Sequence, residues 1–191
     1  MADNAKFLEL LNLLKSAYPK FDEVKRLVSE NEEMIRYRRS TDGATPLHVA
    51  CYNSTILLIP DLIKFLVSSH PESLFAVNTF RQTPVHKALL VATSIHLESV
   101  EFLLKSVVDA PLAITKDGQN LLHSSLSQSK DSSEDIVSLL VDLFPLLVEL
   151  PDKYAQYPIH LAANKKKTNI NIIRKLVDDV PTSLLWKDSK G

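Results

Sequence analysis

The chain has 191 residues, 45% of them hydrophobic and 24% charged, a balance that excludes both a disordered chain and a membrane-embedded bundle. Its 22 basic and 23 acidic side chains leave a formal net charge of −1, so no broad field draws phosphates and nucleic acid is disfavoured as the main partner. Cys51 is the single cysteine and can form no internal disulfide, which suits a reducing compartment.

The first predicted element lies within Met1 to Phe21. Phe7, Leu10, Leu11, Leu14, Ala17 and Tyr18 share one helical face, with Glu9, Asn12, Lys15 and Ser16 opposite and Leu8 and Leu13 near the edges. Polar residues among its leucines break the apolar stretch a signal peptide needs, and no run reaches the 18 or so apolar residues of a membrane span. A cytosolic or nuclear setting is expected. Glu30, Glu32 and Glu33 are followed by Arg36, Arg38 and Arg39, a charge step expected to pair locally.

A pattern then begins and recurs. Thr45-Pro46-Leu47-His48, Thr83-Pro84-Val85-His86, Asn120-Leu121-Leu122-His123 and Tyr157-Pro158-Ile159-His160 align, their histidines 38, 37 and 37 residues apart. Five residues before each histidine stand Gly43, Arg81, Gly118 and Ala155, where a turn favours glycine. Thr45 and Thr83 can cap a short helix, and proline suits its first position, where no N–H is needed. A linker and a longer apolar helix follow each time: Pro60 to Ser69, Leu97 to Val108, Ser133 to Phe144 and Ile170 to Val180. These run into Pro71, Pro111, Pro145 and Pro181, which end them and push the preceding residue towards extended geometry. An extended stretch of roughly ten residues is expected to lead into the next start.

The four segments resemble the ankyrin repeat, whose hallmark Thr-Pro-Leu-His opens the inner helix. The resemblance covers about residues 40–191, while residues 1–39 fit a capping helical pair without the hallmark. It implies a mainly α solenoid of about five stacked helix pairs with β-hairpin-like finger loops. The units run over 40–77, 78–114, 115–151 and 152–187, and 188–191 open a further finger. The 37–38-residue spacing exceeds the family's period of about 33 residues. Most of the surplus falls in the inter-helix loop, as in Tyr52 to Ile59.

Stacking explains the periodicity. The apolar residues of Ser133 to Phe144 span an arc of about 200°, wide enough for burial from two sides. Ile170 to Val180 has a narrower arc of about 160°, with Arg174, Lys175, Asp178 and Asp179 outward, as in a terminal cap. The unfinished finger, Asp188-Ser189-Lys190-Gly191, instead matches Asp152-Lys153-Tyr154-Ala155 and points to a longer parent chain.

The residues give little support for chemistry. His48, His86, His123 and His160 would form a ladder with rungs about 8–10 Å apart, too far for a zinc site with nitrogens at about 2.0–2.1 Å. The resemblance gives these imidazoles a structural role, bonding backbone between fingers; His70 and His96 lie off the ladder and are expected at the surface. Cys51 is expected to be a small buried hydrophobe. His123 sits beside Ser124 and Ser125, but adjacent helical residues point apart, and there is no phosphate-cradling Gly-rich loop. No enzyme, metal or cofactor is expected. Lys165-Lys166-Lys167 is the one basic run and is expected to be a solvated loop.

The resemblance implies a non-catalytic scaffold that binds another protein through finger tips and a concave inner-helix face, the chain alone being monomeric. A structural subunit of a larger assembly and a regulatory domain of a signalling protein are the alternatives. By position the tips are Thr41, Asp42 and Ala44; Thr79, Phe80, Arg81 and Gln82; Lys116, Asp117 and Gln119; Lys153, Tyr154 and Gln156. The inner-helix ends are Tyr52 and Asn53, Leu90 and Val91, Ser127 and Gln128, Asn164 and Lys165. Phe80, Arg81, Tyr154 and Tyr52 are the expected anchors, because binding energy concentrates in aromatics and arginines.

Overall fold

A computed structural model describes residues 2–57, 59–107, 113–127, 132–164 and 169–189. Val108, Pro111, Gln128, the run Lys165 to Lys167, Lys190 and Gly191 lie outside them. Five helix pairs follow one another: α1 (Ala2–Lys15) with α2 (Phe21–Glu30), α3 (Pro46–Cys51) with α5 (Pro60–Ser69), α6 (Pro84–Leu89) with α7 (Leu97–Ser106), α8 (Leu121–Leu126) with α9 (Glu134–Leu143), and α10 (Pro158–Ala163) with α11 (Ile170–Asp179). A short α4 (Ser54–Leu57) occupies the first inter-helix loop, where much of the extra length sits. The inner helices touch in the order α1, α3, α6, α8, α10 and the outer ones in the order α5, α7, α9, α11, so the molecule is a solenoid.

Each unit buries its apolar side against its neighbours. Leu47, Ala50 and Cys51 of α3, Ala88 and Leu89 of α6 and Leu122 of α8 are fully buried along the inner row. In α9, Ile136, Val137, Leu140 and Val141 are buried, with Leu139 and Leu143 half-covered. The last outer helix, α11, buries only Ile172 and Leu176, in keeping with its narrower apolar arc. At the other end Phe7, Leu10, Leu11 and Leu14 are buried. Ala17 and Tyr18 do not continue that face: α1 ends at Lys15, and Tyr18 is 87% exposed.

Two expectations about the connections need correction. The stretch after three of these outer helices is not extended throughout: its first five residues form a 3₁₀ turn, at Pro71–Phe75, Pro145–Glu149 and Pro181–Leu185, with Glu32–Arg36 as a proline-free counterpart. The residue before proline leaves helical geometry, as at His70 with φ −156° and ψ 81° and Phe144 with φ −138° and ψ 64°, because the proline ring disfavours helix there. The proline's own fixed φ then starts the tight turn. Nor do the fingers form β-hairpins, since the described residues contain no strand. Each finger closes through a short turn, such as Asn78 N–H to the Gln82 carbonyl at 3.0 Å, which leaves too few paired residues for a ladder.

Candidate functional site

The candidate surface is built on the inner-helix caps. Thr45 Oγ1 accepts from His48 N–H, while Thr45 N–H donates to His48 Nδ1 at 3.2 Å, so the two residues satisfy each other. Thr83 and His86 repeat the arrangement. In the third unit Asn120 replaces threonine and still caps, accepting from His123 N–H at 3.1 Å and donating to the Leu147 carbonyl at 3.0 Å. The fourth has no side-chain cap, although Tyr157 N–H reaches His160 Nδ1 at 3.1 Å. Tyr157 instead stacks on Trp186, ring centroids 4.2 Å apart.

A ring nitrogen that accepts from a backbone N–H leaves the proton of a neutral imidazole on the other nitrogen. That proton ties neighbouring units together. His48 Nε2 donates to the Gln82 carbonyl at 2.9 Å, His123 Nε2 to the Gln156 carbonyl at 2.8 Å and His160 Nε2 to the Trp186 carbonyl at 3.1 Å. His86 departs from the pattern: its buried Nε2 has no hydrogen-bond partner, although the Gln119 and Ala113 carbonyls are near enough to favour its charged form. Burial lowers the pKa of His48 and of His86 to about 4, against the pull of those carbonyls. The His123 ring is shifted down for the same reason.

His96 is not at the surface. It is only 4% exposed, and its Nδ1 accepts from Thr93 N–H at 2.8 Å. The sequence signal was available, since Thr93-Ser94-Ile95-His96 repeats the Thr-x-x-His spacing of the inner-helix caps and here precedes an outer helix. Cys51 is buried, and burial pushes its thiol well above the ordinary value, out of reach of nucleophilic chemistry at neutral pH.

The fingers carry the candidate contact residues. Gly43, Arg81, Gly118 and Ala155 all adopt left-handed backbone, with φ of 70°, 58°, 75° and 56°. One hydrogen bond joins each finger to the one before it: Thr79 N–H to the Asp42 carbonyl, Lys116 N–H to Phe80, Lys153 N–H to Asp117 and Ser189 N–H to Tyr154, all between 2.9 and 3.2 Å. In the first three the donor is seven residues before its unit's histidine, and in all four the acceptor is six before. This register holds the tips in a regular row.

A family model described as Ankyrin repeat matches residues 42–79, the first finger, both helices of its unit and the start of the next finger. The same turns and rungs then recur in the later units, and the side-chain cap in the next two. Residues 42–79 are an ankyrin repeat, and the later units share its resemblance to that family. No curated protein matches it in sequence.

On the ankyrin-repeat scaffold the predicted contact residues fall into two groups. Thr79, Phe80, Arg81, Lys116, Asp117, Lys153 and Tyr154 are exposed at the tips, and Tyr52 is exposed at the end of α3. Phe80, Tyr154 and Tyr52 are 56%, 52% and 54% exposed, so their rings are not absorbed by neighbouring fingers. Gln82, Gln119 and Gln156 are half-buried at the finger bases, their carbonyls closing their own turns. Asn53 faces inward. Its amide donates to the Leu14 and Ser16 carbonyls and its Oδ1 accepts from Thr55 N–H, so it pins the loop to the end of α1.

Charges also divide along the row. Lys153 is ion-paired with Asp117, which raises its pKa, and lies 4.9 Å over the Tyr154 ring. Arg39 binds both Asp42 oxygens and holds that carboxyl at about 2. Lys87, on α6, lies 4.7 Å over the Tyr52 ring.

Proposed function

We propose that this protein is a non-catalytic interaction module that holds a protein partner across its finger tips and inner-helix ends. Ankyrin repeats are in general protein–protein interaction modules, and the finer assignment rests on one observation. Three aromatic rings stand more than half exposed, Phe80 and Tyr154 on a backbone row fixed by regular hydrogen bonds and Tyr52 at the end of α3 beside it. Large rigid rings on a preorganised surface lose little entropy on docking and supply most of the contact energy in protein interfaces. Thr79, Arg81, Lys116, Asp117 and Lys153 would form the polar rim around them.

The test is affinity capture from the native cell with the wild-type chain and with Phe80→Ala/Tyr154→Ala as baits. The variant should lose the captured partner while its unfolding free energy stays within about 0.5 kcal/mol, as for exposed positions. A variant that unfolds as readily as it loses the partner would show that these rings serve packing instead.

A further inference from the structure

The concave face is electrically uneven. At its N-terminal end two adjoining hollows of about 430 and 480 Å³ share Lys15 and Arg39. The first is completed by Tyr52 on α3 and Lys87 on α6, the second by Tyr37 and Arg38 at the approach to the first finger.

Four cations therefore face one groove. Arg38 is anchored by backbone, its Nη1 donating to the Val77 carbonyl at 2.8 Å and to the Gly43 carbonyl at 3.3 Å, and pairs with no carboxylate among the described residues. Arg39 is matched by Asp42. Among the described residues neither Lys15 nor Lys87 has a carboxylate within ion-pair distance, and Lys87 rests on the face of Tyr52. The neighbouring acids point elsewhere: Glu9 acts on Arg26 of α2, and Glu30 pairs with Arg26 and Lys6.

Counting Asp42, the groove carries +3 in a chain whose net charge is −1, so the remainder carries −4. A concentrated positive hollow on a chain with no positive excess elsewhere favours a short acidic ligand over a long one. A nucleic-acid strand would find no further excess of positive charge in the chain to meet its phosphates beyond the groove. A peptide segment can confine its carboxylates to the groove and lay apolar side chains on Tyr52 and Tyr37. The groove also continues directly into the tips, because Asp42, bound to Arg39, accepts the rung from Thr79, the residue beside Phe80.

The geometry points to an acidic, extended segment of the partner protein as the occupant of this groove, its carboxylates meeting Lys15 and Lys87 while Tyr52 packs between them and the tips. The assignment rests on the reading of the concave face as a protein-docking surface and adds the chemistry and the polarity of the ligand. The partner's acidic stretch lies at the α1 end, and the part contacting Phe80 and Tyr154 follows it along the row.

Fluorescence anisotropy on the full chain tests this with three labelled probes of equal length: a glutamate-rich peptide of about ten residues, its lysine-rich counterpart and a single-stranded DNA. At about 50 mM salt the glutamate peptide should bind and the lysine peptide should not, and raising salt to about 500 mM should weaken binding strongly. Lys15→Glu/Lys87→Glu should weaken it at least about tenfold. Lys20→Glu/Lys25→Glu carries the same change in net charge outside the groove and should leave it nearly unchanged. Should the charge reversal unfold the chain, Lys15→Gln/Lys87→Gln removes the charges alone and should show the same direction. Absence of glutamate-peptide binding at about 1 mM, equal weakening in both reversals, or tighter capture of the DNA would each overturn the assignment. If the peptide fails while partner capture still depends on Phe80 and Tyr154, only the acidic assignment falls; if both fail, the docking surface falls with it.

Discussion

The second and third fingers have the same shape and are built differently. In the second, Asn78 Oδ1 accepts from Phe80 N–H and Gln82 N–H, and the left-handed position is taken by Arg81. In the third, Thr115 Oγ1 accepts from Asp117 and Gln119 N–H, and the left-handed residue is Gly118. The second is gripped from behind by His48, whereas the third faces His86, whose Nε2 reaches no acceptor. The third is instead packed closely from the front: a Cβ on Gly118 would lie 2.9 Å from the Lys153 backbone nitrogen, while one on Gly43 would meet only ordinary contacts from 3.6 Å outward. The stack thus dictates the backbone of a finger, and more than one set of side chains can supply it.

The largest expected effect on this comparison comes from acid. His48 and His86 stay neutral in the fold down to about pH 4, while their unfolded forms protonate near the ordinary 6.5. The unfolded chain therefore binds more protons between those values. Their contribution is intact above pH 6.5 and is lost as pH falls towards 4, at about 3 kcal/mol for each ring. Denaturant midpoints measured from pH 7.5 down to 4 should fall accordingly, and His48→Gln and His86→Gln should each flatten the curve. At neutral pH His48→Gln should cost about 1 kcal/mol more than His86→Gln, because only His48 loses a bond to the next finger. Equal costs would erase the distinction between the two fingers.

Next in size is Gly118→Ala. Left-handed strain of about 1–2 kcal/mol combines with a backbone clash that must push the fourth finger away, for about 2–4 kcal/mol in all. Gly43→Ala should cost only the strain, about 1–2 kcal/mol. Urea unfolding of the pair separates the two terms, and indistinguishable midpoints would show that the close approach carries no cost. The smallest effect is expected for Arg81→Gly. Relief of the left-handed strain outweighs the added unfolded-state entropy by less than about 1 kcal/mol, so the midpoint should rise slightly.

Much of this architecture was legible because its signals are local. A threonine, a proline and a histidine within four residues determine a cap, and their recurrence at 37–38 residues locates the units before any long-range contact is known. Asn120 shows how far that extends: the least regular hallmark still caps its helix, since asparagine accepts the same N–H. The misreadings arose where neighbours decide. His96 is buried because α4 and α7 come together around it, with the Ser54 backbone acting on its ring and Ser99 donating to Leu57. The proline turns were read as extended because proline excludes helix continuation without saying what replaces it. Of the candidate surface, the exposed aromatics followed from position alone. The inward turn of Asn53 did not, because its carbonyl partners lie at and just past the end of α1, some forty residues away.

The row of finger bonds also has a mechanical meaning. Each interface is spanned at the tips by an N–H to carbonyl link of fixed direction, so part of a load drawn along the solenoid passes through these links in series, beside the histidine bonds and the packed helices. Strain would collect at the boundaries between units, and the array would yield one unit at a time from an end, each yield releasing a similar length of chain. Under tension the molecule would behave as a spring of nearly equal segments.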